Sequence, residues 1–62
     1  MTSAYSDGRK SGLSRSIGGM TREEWQAMGQ RHAYRQYDSE SARAVAARAE
    51  FVRGWMSAYT AR

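Results

Sequence analysis

Between Ala42 and Arg62 the chain carries a single long apolar stripe, and few folds can accommodate it. Ala42, Val45, Ala49, Val52, Met56 and Tyr59 recur at alternating spacings of three and four, one face of a helix held over several turns. Phe51, Trp55 and Ala58 widen that face in its second half, so the stripe ends in the densest aromatic cluster of the sequence. No other stretch can seed a core of comparable size. The expectation is a core helix over residues 40–60, with Arg43 and Arg48 turned away from the stripe.

That helix needs neighbours. The chain has 62 residues, enough for one domain and a modest core, and a chain this short is marginal without help from a partner or a second copy. It has no cysteine, which removes disulfides and thiolate metal sites, and its one histidine, His32, cannot build a zinc site alone. No apolar run approaches the roughly 18 residues of a membrane span, and the N-terminus lacks the apolar segment of a secretory signal. The expected location is therefore cytoplasmic, with no membrane partner, cofactor or metal.

The middle of the chain opens with a clear start signal. Thr21-Arg22-Glu23-Glu24 is a capping box, with Thr21 as N-cap and Glu24 at the third helical position. Met20 and Trp25 are spaced for a hydrophobic staple across that start. The helix is expected over 21–37, with Trp25, Met28 and His32 as its apolar stripe and Gly29 and Ala33 admitting a neighbour. Tyr34 points away, Tyr37 lies at the edge, and Arg31 and Arg35 stand one turn apart on a polar face. Asp38 or Ser39 then restarts the chain as an N-cap. A continuous helix from 21 to about 60 is the alternative, since the break holds neither proline nor glycine.

Residues 3–14 are ambiguous by composition. Thr2 or Ser3 can cap a short helix, yet Gly8 and Gly12 each cost it about 1 kcal/mol relative to alanine. Ala4, Gly8 and Gly12 at spacing four would make a smooth strip for another helix; without such a neighbour the segment is a tail. Gly18-Gly19 is the strongest breaker in the chain and marks a connection.

The charge balance points to a binding protein. Ten basic residues face six acidic ones, a formal charge of +4, and nine of the ten are arginine. Arginine engages phosphate through a bidentate fork and stacks on bases. Nucleic acid or an acidic protein surface is the implied partner, although a solvated helix face in an alanine- and arginine-rich protein has the same look. No nucleophile–base–orienter set exists, and the glycines of Gly8–Gly12 and Gly18-Gly19 match no phosphate-cradling loop. His32 reads as a packing residue. An enzyme is not expected.

Two stretches then read together. Ala4, Gly8, Gly12 and Leu13 fall on a pattern A-x-x-x-G-x-x-x-G-[IL]. Arg48, Phe51, Val52, Gly54, Trp55 and Ala58 fall on R-x-x-[aromatic]-[aliphatic]-x-G-W followed by alanine. These are the first-helix and second-helix patterns of the ribosome modulation factor family, which the chain resembles over under half of its length. The resemblance implies that residues 4–13 are helical, with Gly8 and Gly12 against the Phe51–Trp55 region, and that the helix-packing positions are Gly8, Gly12, Phe51, Val52, Gly54 and Trp55. It also implies binding to the small ribosomal subunit near the 3′ end of its RNA. The chain departs from the family in its middle, where a cysteine–proline–tyrosine turn is replaced by the capped helix 21–37. Its basic N-terminus is reduced to Arg9 and Lys10, and Arg53 stands where a small residue is usual.

The sequence thus predicts an all-α single domain, a small helical hairpin of the first and third helices with an inserted middle helix. The expected function is non-catalytic binding of ribosomal RNA or the small ribosomal subunit, with Arg9, Lys10, Arg15, Arg48 and Arg53 as contacts. The alternatives are a small inhibitor, of the phage-encoded kind, seated on a host protein or nucleoprotein complex, and a homodimeric structural bundle.

Overall fold

A computed structural model describes residues 3–61, which form three helices: α1 (Ala4–Leu13), α2 (Arg22–Gln36) and α3 (Ala42–Thr60). Each starts as its sequence dictates. Ser3 caps α1 by accepting from the Ser6 N–H at 3.1 Å. Thr21 and Glu24 form the reciprocal capping box of α2, at 3.1 and 2.8 Å. The N-cap of α3 is Ser41, which accepts from Ala44 N–H, rather than Asp38 or Ser39. The helix does not run on from 21 to 60. Tyr37 closes α2 at φ −128°, ψ 73°, and the chain turns before Ser41. Between α1 and α2, Gly18 (φ 55°) and Gly19 (φ 85°) occupy the left-handed region that a side chain would strain.

The core is built from Trp25, Ala33, Phe51, Trp55 and Ala58, all nearly or wholly inaccessible. Trp25 and Trp55 stack with ring centroids 4.5 Å apart. Each indole N–H donates to the other residue's backbone carbonyl, at 3.0 Å from Trp25 and 2.6 Å from Trp55. A buried donor left unpaired costs about 1–3 kcal/mol, so the reciprocal bonds allow both rings to be fully enclosed. Phe51 extends the stack at 6.5 Å, and Tyr37 meets Phe51 edge-on at 6.2 Å.

The buried face of α3 is rotated from the expected one. Arg48, Phe51, Gly54, Trp55 and Ala58 point inward, whereas Val45 is 48% exposed and Ala42 and Ala49 are exposed. Val52, Met56 and Tyr59 are half-buried at the edge of the core. The regular three–four stripe is therefore a flank. The inward seam escapes a hydrophobicity count because it consists of an arginine, a glycine and an alanine interleaved with two aromatics.

α1 is a helix, and its glycines explain how. A Cβ on Gly8 would land on the Phe51 carbonyl of α3, and a Cβ on Gly54 on the Tyr5 carbonyl of α1. A Cβ on Gly12 would lie 2.6 Å from that of Ala58 and 3.3 Å from the Trp25 ring. The two helices touch backbone to backbone, which offsets the propensity lost at each glycine. Contacts advance together along α1 and α3, from Gly8 at Phe51 to Gly12 at Trp55 and Ala58, so these helices run in the same sense. Contacts between α2 and α3 retreat, from Trp25 at Trp55 to Tyr37 at Phe51. The expected pairing of the first and third helices is therefore present, with the two running in the same sense, and α2 lies antiparallel to α3 because it reverses the chain between them.

Candidate nucleic-acid interface

The five cations expected to make contacts do not form one surface. Arg48 is only 9% exposed. Its guanidinium donates to the Tyr37 and Ser39 carbonyls, the latter at 2.9 Å, and lies 4.3 Å from the centre of the Tyr34 ring. It ties the C-terminal end of α2 to α3, where a cation also suits the helix dipole. Arg48 is therefore engaged by the fold, and the expectation that it turns away from the core is corrected. Arg9 is half-buried and donates to Ser57 Oγ at 2.9 Å, bracing α1 on α3. Arg53 is exposed but ion-paired with Glu50 at 2.8 Å, three residues away on the same helix, and lies 6.0 Å from the Tyr5 ring centre. Lys10 and Arg15 are exposed.

Arg15 is the one that gains company. It leaves the end of α1 and reaches the outer edge of α2, where Arg15, Met28, Arg31, His32 and Arg35 line a shallow depression. Arg31 and Arg35 are there because they stand one turn apart on α2. The Arg15 backbone N–H donates to the Gly12 carbonyl at 3.2 Å as the chain leaves α1. All three arginines are exposed, and none has an ion-pair partner among the described residues. Glu23 and Glu24 occupy the first turn of α2, away from this end, and Glu24 is engaged by the cap.

His32 sits among these cations with its ring 5.2 Å from Trp55. Its pKa is lowered from the ordinary 6.5, first by burial against the core and then by Arg15, Arg35 and Arg31. The ring is therefore held neutral, with nitrogen atoms able to donate and accept on a surface otherwise made only of donors. The surface brings together three guanidinium forks and an imidazole, backed by an aromatic stack, a set with the chemistry to engage an anion. Among the described residues no group of three or more His, Cys, Asp or Glu could hold a metal ion, and no helix is long and apolar enough to cross a membrane.

Sequence reasoning found Arg15 but assigned Arg31 and Arg35 only to a polar face. Their signal was present: two arginines at spacing four, with no carboxylate one turn to the N-terminal side of either. The arrival of Arg15 from the loop depends on the packing of α1 and could not be read from spacing. No family model, curated protein or solved structure matches this chain.

Proposed function

We propose that this protein is a non-catalytic RNA-binding protein of the ribosome-modulation type, which grips ribosomal RNA on the small subunit through Arg15, Arg31 and Arg35. The observation that carries this reading is the convergence of three exposed, acid-free arginines on His32 from two separate elements. Guanidinium groups at that spacing suit successive phosphates of one strand, and His32 offers a flat face to an unstacked base. The close-packed glycines of α1 and α3 match the packing positions of the family resemblance, so the scaffold supports the same reading. The contact surface is moved from Arg9, Arg48 and Arg53, which serve the fold or are neutralised, to the edge of α2.

The test is co-sedimentation with purified small ribosomal subunits across a salt series. Three phosphate contacts to a single strand predict that log affinity falls with log salt at a slope of about −2. Replacing Arg31 and Arg35 together by Glu should abolish binding while leaving helicity intact. A protein that stays in the supernatant at low salt refutes the ribosome reading. If a nuclease-treated lysate then retains it on a protein complex, the inhibitor reading takes its place, with the arginines facing an acidic protein surface.

A further inference from the structure

The stripe Ala42, Val45, Ala49, Val52, Met56 is only partly covered by the fold: its first three residues are exposed, and Val52 and Met56 are half-buried at the edge of the core. α1 lies against the Phe51, Gly54 and Ala58 side of α3, and α2 against Arg48 and Trp55. Between them runs a shallow groove. Tyr34 and Gln30 border it beside Ala49 and Val52, and Arg22 and Gln26 border it beside Val52 and Met56, with Tyr5 and Arg53 on the opposite flank. Tyr34 is 58% exposed and Val45 48% exposed, so apolar surface is open along several turns. Tyr59 ends the stripe by turning inward to Trp25, its hydroxyl donating to the Met20 carbonyl at 3.3 Å.

The spacing of these residues is more regular than a core face requires. Ala42–Val45–Ala49–Val52–Met56 alternates three and four without a slip, the seven-residue repeat of helices that pair along a straight seam. The charges at its two ends are opposite. Asp38 and Glu40 precede the seam at Ala42, both exposed and without an ion-pair partner among the described residues. Arg22 and Arg53 flank it at Met56, Arg53 shared with Glu50. Arg43, next to Ala42, lies about a quarter turn off the seam.

We propose that this seam is the interface of an antiparallel homodimer, with Ala42 of one copy opposite Met56 of the other and Ala49 near the two-fold axis. Antiparallel pairing sets the acidic end of each copy against Arg22 of its partner, whereas parallel pairing sets like charge on like. Alanine at positions 42 and 49 lets the backbones approach, and Val45, Val52 and Met56 supply the apolar contact. A two-fold interface needs the same patch to be complementary to itself, which a stripe acidic at one end and basic at the other satisfies only in this direction. The arginine cluster lies on the other edge of α2 and stays open in the pair.

Sedimentation equilibrium without RNA tests the pairing. The protein should associate to twice its mass at roughly tens of micromolar. Val45→Glu and Ala49→Glu, both at exposed positions, should weaken association at least about tenfold with unchanged circular dichroism. Direction is read by cross-linking, because the chain has no cysteine of its own. In an equimolar mixture of Ala42→Cys and Met56→Cys proteins, oxidation should join 42 to 56. A chain that stays monomeric to hundreds of micromolar overturns the proposal and leaves the seam to a foreign helix. A dominant 42–42 disulfide overturns the antiparallel arrangement.

Discussion

α3 holds its two neighbours by opposite means. Toward α1 it presents an absence of side chain, Gly54, and receives Gly8 on the Phe51 carbonyl. Toward α2 it presents its largest side chain, Trp55, which stacks on Trp25 and exchanges hydrogen bonds with it. The first interface is limited by contact distance and fails when atoms are added. The second is limited by buried area and fails when atoms are removed. Gly29 shows that the second also needs clearance, since a Cβ there would press on the Trp55 ring, 2.7 Å from Cγ. So small a domain can build a core because one interface spends almost no volume, leaving its few large residues for the other.

The largest expected effect follows from deleting the shared element. Trp55→Ala removes the stack on Trp25, the hydrogen bond to the Trp25 carbonyl and the ring contacts with Phe51 and His32. Truncations of this size cost about 3–5 kcal/mol, a large part of the stability of any small domain. Loss of the cooperative thermal melt is expected. A variant that still melts cooperatively near the wild-type temperature would show that the indole stack is not what holds α2 on α3.

Next in size are the added methyls. Gly8→Ala and Gly54→Ala each gain about 1 kcal/mol of helix propensity, yet each Cβ meets a backbone carbonyl that cannot rotate away. Overpacking of this kind costs about 1–3 kcal/mol, occasionally more. The expected result is release of α1 with the α2–α3 hairpin retained: less helical signal, but the near-ultraviolet signature of the coupled indoles preserved. Gly12→Ala should be milder, because the nearest atom is the Ala58 methyl. A neutral or stabilising Gly8→Ala would mean that α1 does not touch α3 through its backbone, and the contrast between the interfaces would fall.

Legibility in the sequence follows the same division. The capping box at Thr21, the helix through Trp25 and the break near Tyr37 rest on local chemistry and were readable. Gly8 and Gly12 were readable only as an anomaly, two poor helix formers spaced for a neighbour, until the pattern shared with Gly54-Trp55 supplied one. The rotation of α3 was not readable. Val45 and Ala49 look more like core than Arg48 does, and only the carbonyls of Tyr37 and Ser39 make burial of that guanidinium tolerable. The candidate contact residues divided likewise: Arg31 and Arg35 were visible on one helix, but their union with Arg15 is tertiary.

The smallest effect sharpens the comparison at the rim of the tryptophan interface, where His32 leans on Trp55. In the folded protein the His32 pKa lies below its ordinary 6.5, held there by burial and then by Arg15, Arg35 and Arg31. Well above pH 6.5 the ring is neutral in both folded and unfolded chains and costs nothing. As pH falls from 6.5 through the lowered folded value, the unfolded chain takes up its proton first, so stability declines across that window. The shift comes from a half-exposed group, and the expected change is a small drop in melting temperature that His32→Gln removes. Bound RNA should reverse the sign for binding. Phosphates beside the three arginines cancel the field that disfavours the imidazolium, so His32 takes up a proton on binding and affinity rises as pH falls through the same window. Measured side by side, the melt and the affinity should move in opposite directions with acid, and both dependences should flatten in His32→Gln. An affinity that falls with acid in the wild type, in parallel with the melt, would place the RNA away from His32 and refute the arginine cluster as its site.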